Sequence, residues 1–310
     1  MELACGVVIM PESWHSNTAS LTEMWRRDMR VAVTGAAGTI GRAVAQELHG
    51  LNMETVLIDT TPHQPDVKRA DMTEAWAVRE CLQNCDAVVH LSGLGTPDRA
   101  WKDQFLAARH AMNANITSGA NVFAAACELG IRRVVWASSE TVLGAPFTSE
   151  RPPVVLPLTE RAPIRAHTPY AMSKATLESL AQQFGGSSRT EFVGLRFSIV
   201  LGPADYRRLL PQIADDPRSG LWNLWSYVDI RDTVRACLLA LEAETGRGSA
   251  VCNIAAEDTL STEKTRVLLE KYLPELEPPA EPPEDRTALF RGDQARDLLG
   301  WEPRHRWSSP

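Results

Sequence analysis

The pattern of apolar and polar positions first becomes regular at Met29-Arg-Val-Ala-Val-Thr-Gly35. A short apolar run with β-branched residues that enters a glycine turn reads as a buried parallel strand. The stretch from Arg42 to His49 is predicted to be helical, and Glu54-Thr-Val-Leu-Ile-Asp59 is predicted to be a second strand ending in a carboxylate. Strand, glycine turn, helix and strand in this order predict a βαβ unit, hence an α/β fold with a doubly wound parallel sheet of the Rossmann type. Longer helices are expected near Ala100 to Leu129 and from Pro169 to Phe184, and another from Thr233 to Glu242, where Asp232 is placed to cap it.

The breaks between these segments read as loops and not as domain linkers. They are the stretch from Pro152-Pro153 to Pro169 and the Pro/Glu-rich stretch from Pro274 to Asp285, and no internal repeat or low-complexity tract is evident. Residues 1–28 precede the first strand. Their apolar patch Ala4 to Met10 is too short to span a bilayer and follows Glu2 instead of a basic stretch, which makes a poor signal peptide. An extension without a catalytic role is the favoured reading, with an upstream start codon and a true beginning at Met29 as the other. The expected layout is thus residues 1–28 as extension, 29–195 as nucleotide-binding domain with the catalytic residues, and 196–310 as mainly a smaller substrate-binding lobe interleaved with elements of the first domain.

Composition narrows the class. A chain of 310 residues with 44% hydrophobic content can bury a large core divided between two lobes. A net charge of -7 without a basic stripe argues against nucleic acid as partner. Among six scattered cysteines the closest pair, Cys81 and Cys85, has the spacing of a helix face and not of a redox or zinc motif. The cysteines read as reduced thiols of a cytoplasmic protein, with no membrane partner. The seven histidines show no metal spacing, so no metal is expected, and His90 reads as part of a turn on the ligand side.

The chemistry lies in two motifs. In the first, Gly35 permits a tight turn, Gly38 lets backbone approach a pyrophosphate, and Gly41 allows close packing of helix on sheet. With Ala37, Thr39 and Ile40 they form a candidate phosphate cradle at a helix N-terminus, whose free N–H groups and partial positive charge attract an anion. Asp59 stands where a ribose 2'-hydroxyl would be read, and its charge repels a 2'-phosphate, which favours NAD over NADP. Arg42 is a nearby cation that keeps the NADP reading open, and Asp59 has a plainer reading as the start of the turn Asp-Thr-Thr-Pro. In the second motif, Tyr170 and Lys174 are four residues apart and share a helix face. An unperturbed tyrosine ionises near pH 10, so a neighbouring cation, helped by an oxidised nicotinamide, is needed before Tyr170 can take a proton from an alcohol.

With these residues in view, the chain from about Met29 to Trp307 resembles the extended short-chain dehydrogenase/reductase superfamily, the NAD-dependent epimerase/dehydratase family. Further segments carry the resemblance in the expected order. Arg69-Ala-Asp71-Met72 looks like the acidic turn that meets the adenine amino group. Ala87 to Gly93 looks like the fourth strand and its cofactor-lining turn, which implies contacts from Leu91, Ser92 and Gly93. Asn115 falls on the helix asparagine that holds the active-site backbone. Arg133 to Gly144 looks like the fifth strand and its serine-rich exit, where Ser139 matches the catalytic serine and Ser138 is a second candidate. Phe192 to Pro203, Ser226 to Asp232 and the ending Leu298 to Pro303 with Trp307 complete the series. The resemblance also implies a homodimer paired through a four-helix bundle.

What the resemblance implies for chemistry is hydride transfer at a carbinol or carbonyl, with Ser139 donating a hydrogen bond, Tyr170 moving the proton, and Lys174 lowering the tyrosine pKa and holding the nicotinamide ribose. Ser, Tyr and Lys serve epimerases, dehydratases and dehydrogenases alike. The interval 204–226 is shorter than in nucleotide-sugar enzymes and carries Leu221-Trp-Asn-Leu-Trp225 where those have an Arg for the diphosphate. By contrast Asp205-Tyr-Arg-Arg-Leu-Leu210 is similar to a segment of uronate dehydrogenases, in which Arg207 matches the residue that binds the substrate carboxylate. A surface salt bridge is the alternative for Arg207. Trp222 and Trp225 are candidates for a sugar face or for packing between lobes. A small sugar or sugar acid is the favoured substrate, with a nucleotide-sugar epimerase or dehydratase holding NAD tightly as the alternative. A non-catalytic dinucleotide sensor is the reading from another class, against which stands the presence of Ser139, Tyr170 and Lys174.

Overall fold

The computed structural model describes residues 29–307 apart from 62–63, 96–104, 247, 278 and 280–282. The expected extension over residues 1–28 and the start of the helix expected from Ala100 lie outside the described residues. Nine strands and eight α-helices are seen among the described residues. The strands are β1 (Arg30–Thr34), β2 (Glu54–Asp59), β3 (Val67–Arg69), β4 (Ala87–His90), β5 (Arg133–Ser139), β6 (Glu191–Phe197), β7 (Val200–Leu201), β8 (Val228–Asp229) and β9 (Ser249–Ile254). The helices are α1 (Thr39–Gly50), α2 (Ala75–Leu82), α3 (Phe105–Glu128), α4 (Pro169–Ser187), α5 (Pro203–Asp215), α6 (Ile230–Glu242), α7 (Thr265–Tyr272) and α8 (Asp293–Leu299).

Seven strands form one parallel sheet in the order β3-β2-β1-β4-β5-β6-β9. The run Val31-Ala-Val33 is fully buried because β1 is central, with Val33 opposite Leu57 on one side and Val89 on the other and helices over both faces. That is why its sequence is continuously apolar instead of alternating. Val44 and Leu48 of α1, Val234 and Leu241 of α6 and Trp301 cover one face. Phe123 of α3, Leu177 of α4 and Trp136 cover the other, with Phe123 edge-on to Trp136 at 5.6 Å and to Phe192 at 5.0 Å. A third cluster, including Phe147, Leu201, Trp225, Tyr227, Leu268 and Phe290, forms the core of a smaller lobe. Strand order reverses between β1 and β4, and a crevice opens there at the carboxyl ends of the strands.

Two boundaries differ from expectation. Helix α1 starts at Thr39 and not at Arg42, because Gly38 takes the extended N-cap conformation (φ -73, ψ 169). Helix α6 starts at Ile230, and its N-cap is Asp229, whose carboxylate accepts the Arg231 N–H at 2.9 Å. Asp232 is therefore not the cap. It lies fully buried in the first turn and accepts the N–H groups of Arg304 at 2.9 Å and His305 at 2.8 Å, which fixes the C-terminal segment to α6. Two aspartates three residues apart are equivalent to a sequence pattern; the end of β8 at Asp229 decides between them.

Candidate active site

The crevice is shaped first by glycine. Gly35 has φ +71, and a Cβ there would stand 2.7 Å from the Ser92 nitrogen, so the β1 exit and the β4 exit can pass only without a side chain. A Cβ on Gly41 would drive into the Gly35 carbonyl, which is how α1 comes to lie so close to the strand. No side chain caps α1 and no acidic residue sits in its first turn, so its N-terminal donors face the crevice. A cavity of about 380 Å³ follows, lined by Gly35, Gly38 and Asp59 at one end and by Asp71 and Met72 at the side. Leu91, Ser92, Gly93 and Asn115 line the rest. Backbone donors at a helix N-terminus, flanking carboxylates and a slot that a Cβ would fill fit an extended dinucleotide.

Within this cradle the expected residues take different parts. Asp59 accepts the Ala37 N–H at 3.0 Å through one carboxylate oxygen and the Thr61 N–H at 3.1 Å through the other. Asp59 therefore builds the turn and also lines the cavity. Arg42 lines a separate surface pocket with Gln46 and His49, apart from the cavity. Thr39 is exposed and the side chain of Ile40 packs against the core; neither they nor Ala37 line the cavity. Asp71 accepts from the Thr73 N–H and hydroxyl, both at 2.9 Å. The amide of Asn121 clamps this turn by donating to the carbonyls of Met72 at 3.1 Å and Thr73 at 2.9 Å.

The candidate reactive side chains lie about the ends of β4 and β5. Asn115 is buried and grips the backbone of Leu94, accepting its N–H at 2.8 Å and donating to its carbonyl at 3.1 Å, with a further donation to Ser173 at 3.3 Å. Lys174 is buried and donates to the Ala137 carbonyl at 2.8 Å, and its Nζ stands 5.5 Å from the Tyr170 ring centre. Burial pushes the ammonium down to about 8. Tyr170 is half-buried as a residue, but its phenol is screened from water, which pushes it up to about 12 against the opposing hydrogen bond from Ser139. The charge of Glu140 adds to that rise. The protein's own groups thus favour the protonated phenol. His90 bridges Thr34 at 2.7 Å and Ser118 at 3.4 Å, and burial, then Lys174, pushes it down to about 3, so it is a neutral structural ring.

Ser138 requires a correction. Successive side chains in a strand point to opposite faces, and Ser138 donates to Glu178 at 2.7 Å in the interior while Ser139 accepts from the Thr141 N–H at 3.2 Å and its hydroxyl at 3.0 Å. Ser138 is committed to the buried Glu178–Arg196 ion pair and does not share a site with Ser139. Arg207 is exposed on α5, and among the described residues it makes no ion pair; the surface salt bridge belongs to Arg208 with Asp205. Trp225 is a packing residue, 1% exposed, whose indole donates to the Pro217 carbonyl at 2.6 Å, while Trp222 is half-buried. Sequence reasoning missed Glu140 and Asn223, which meet through a 3.0 Å hydrogen bond across 83 positions. The local signal was a carboxyl directly after the candidate serine.

Among the described residues no helix is long and apolar enough to cross a membrane, and no group of three or more His, Cys, Asp or Glu side chains could hold a metal ion.

The comparisons with known proteins agree with this geometry. A model of the NAD dependent epimerase/dehydratase family matches residues 31–255. The chain is similar to the UDP-glucose 4-epimerase of Lacticaseibacillus casei, 23% identical over 89% of this chain and 92% of that protein. It is also similar to the uronate dehydrogenase of Pseudomonas putida, 27% identical over 54% of this chain and 59% of that one. Among solved structures, MoeE5 in complex with UDP-glucose and NAD matches with a TM-score of 0.66 and 26% identity, covering 89% of this chain and 94% of that one.

Proposed function

This chain belongs to the NAD dependent epimerase/dehydratase family, and from that premise we propose that it transfers a hydride between NAD and a carbinol or carbonyl of a small sugar or sugar acid. NAD, when bound along the crevice, supplies the hydride acceptor or donor. Gly35, Gly38 and the N-terminus of α1 would hold its pyrophosphate, Asp59 the ribose hydroxyls, and Asp71 and Met72 the base end. Ser139 donates a hydrogen bond to the substrate oxygen, and Tyr170 moves the proton at that oxygen. Lys174, anchored on Ala137, places its ammonium beside the phenol, and Asn115 holds the Leu94 backbone in place. The protonated phenol makes the site an acid towards a carbonyl; the base role needs the added positive charge of an oxidised cofactor.

What supports the substrate class is the exposed Arg207 on α5, which makes no ion pair among the described residues and lies in a segment similar to that of uronate dehydrogenases, together with the 3-10 turn Pro217–Asn223, where nucleotide-sugar enzymes would carry a diphosphate-binding Arg. An exposed guanidinium suits a substrate carboxylate. Likeness along nearly the whole length to UDP-glucose 4-epimerases supports a second reading, a nucleotide-sugar epimerase or dehydratase that holds NAD tightly. The reading further takes residues 29–195 and 196–310 as the two functional parts. It takes the protein to be a cytoplasmic homodimer paired through α3 and α4, in keeping with an exposed Met172 and with free thiols at Cys81, Cys85, Cys127, Cys237 and Cys252.

The test is to gel-filter purified protein, identify any retained nicotinamide by mass, and assay NAD reduction with free glucuronate against interconversion of UDP-glucose and its 4-epimer. Reversibly bound NAD and reduction with glucuronate are expected. Retained NAD with UDP-hexose interconversion would replace the first reading by the second.

A further inference from the structure

The side of the crevice beyond Asp59 is made by the turn Asp71-Met72-Thr73-Glu74, which follows β3 and is closed by the Glu74 N–H donating to the Asp71 carbonyl at 3.1 Å. Asp71 and Met72 both line the cavity. One oxygen of Asp71, Oδ1, accepts the Thr73 N–H and hydroxyl, both at 2.9 Å. Among the described residues the other oxygen accepts no hydrogen bond, and the Met72 N–H donates none. A carboxylate acceptor beside a backbone donor matches an edge of adenine, where an amino group that donates stands next to a ring nitrogen that accepts. The turn also has two carbonyls to satisfy, those of Met72 and Thr73. Asn121, half-buried on α3, donates to them at 3.1 and 2.9 Å, using both donors of its amide. The peptide between Met72 and Thr73 is thereby fixed at both ends, its N–H by Asp71 and its carbonyl by Asn121.

We propose that Asn121 is a positioning residue for the base of the cofactor: by fixing the Met72–Thr73 peptide it holds the Asp71 carboxylate and the Met72 N–H in the arrangement that distinguishes adenine from a base without its amino group. This deepens the proposed function and rests on the crevice holding NAD with its base at Asp71 and Met72. Asn121 acts through the turn, and its two donors are taken up by the carbonyls. Leucine at 121 has a similar volume and removes both donors, which frees the Met72–Thr73 peptide to rotate and with it the carboxylate that its N–H holds. Aspartate keeps the shape of the side chain but sets an acceptor against two carbonyls, which drives the turn away from α3. In either case the acceptor and donor that meet the base lose their fixed relation, while the glycine loop and the α1 N-terminus, which hold the pyrophosphate in the proposed function, keep theirs.

The experiment is calorimetric titration of the full-length protein with NAD and with nicotinamide hypoxanthine dinucleotide, whose base carries a carbonyl oxygen in place of the adenine amino group. Wild type is expected to bind NAD about tenfold or more tightly than the analogue, because the carbonyl oxygen meets the Asp71 carboxylate as a second acceptor. In Asn121→Leu the affinity for NAD is expected to fall about tenfold and that for the analogue to change little, so that the preference approaches one. Asn121→Asp is expected to give the same result and serves should the leucine protein fold poorly. A preference retained in both variants, or absent from wild type, would overturn the proposal. So would an equal weakening of the two dinucleotides, which is what a merely structural residue produces. No turnover is measured, so failure of the functional reading shows separately, as a protein that binds neither dinucleotide, and would overturn this inference with it.

Discussion

Replacing Glu178 by Gln removes one charge from the interior of this protein and leaves its partner behind. Glu178 of α4 meets Arg196 of β6 through two hydrogen bonds, 2.8 and 2.7 Å, and accepts a third from Ser138 of β5 at 2.7 Å. Both charged side chains are only 5% exposed. The glutamine is nearly isosteric and retains an acceptor for one or two of these bonds, but the guanidinium becomes an uncompensated buried cation. Breaking such a pair by removing one member costs about 3–5 kcal/mol, against a total stability of roughly 5–15 kcal/mol for a typical folded protein. A loss of about 4 kcal/mol is nearly a thousandfold in the ratio of folded to unfolded chains. Urea unfolding followed by intrinsic fluorescence is the assay, with the midpoint expected to fall while the slope stays unchanged. The double variant Glu178→Leu with Arg196→Met should recover most of the loss, because it removes both charges. A loss in Glu178→Gln below about 1 kcal/mol, the scale of an exposed pair, would refute the reasoning.

Tyr170→Phe should lower turnover by about 10²–10⁴-fold while sparing NAD binding, measured by steady-state kinetics and by calorimetry; undiminished turnover would remove Tyr170 from the chemistry. Asp59→Ala should weaken the preference for NAD over NADP and loosen the Gly35–Gly38 loop through the lost Ala37 contact, and an unaltered ratio of kcat/KM values would exclude Asp59 from the ribose site. Gly41→Ala should cost about 1–3 kcal/mol and weaken NAD binding, since the new Cβ meets the Gly35 carbonyl; a stability equal to wild type would contradict the close helix approach. Glu140 has a folded value of about 8, raised from 4.5, so it binds more protons in the folded protein, and its contribution to stability is full below 4.5 and is lost as pH rises through about 8. The melting temperature of Glu140→Gln should therefore gain on wild type across that window, and a constant difference would show that Glu140 is not held neutral.

Local pattern was enough for the frame of this molecule. A continuous apolar run at 31–33 with β-branched residues that enters a glycine turn reads as a strand covered on both faces, and glycines at 35, 38 and 41 favour a turn leading into a helix against the sheet. Tyr170 and Lys174 were legible for the same reason, since a spacing of four on a helix fixes a shared face wherever that helix is placed. What the order of residues left open was decided by partners distant in the chain. Ser138 and Ser139 are chemically identical neighbours, and only the location of Glu178 and Arg196 behind β5 commits the first to the interior. Asp229 and Asp232 compete equally as caps until the end of β8 selects one and the returning C-terminal segment occupies the other. Glu140 reads as an ordinary polar residue in a serine-rich exit until folding brings Asn223 to it and takes water away. Periodicity and turn chemistry are properties of a few adjacent residues and survive in the linear sequence; burial, and with it the charge state of a carboxyl or a phenol, depends on which distant segments exclude water, and exists only once the chain has folded.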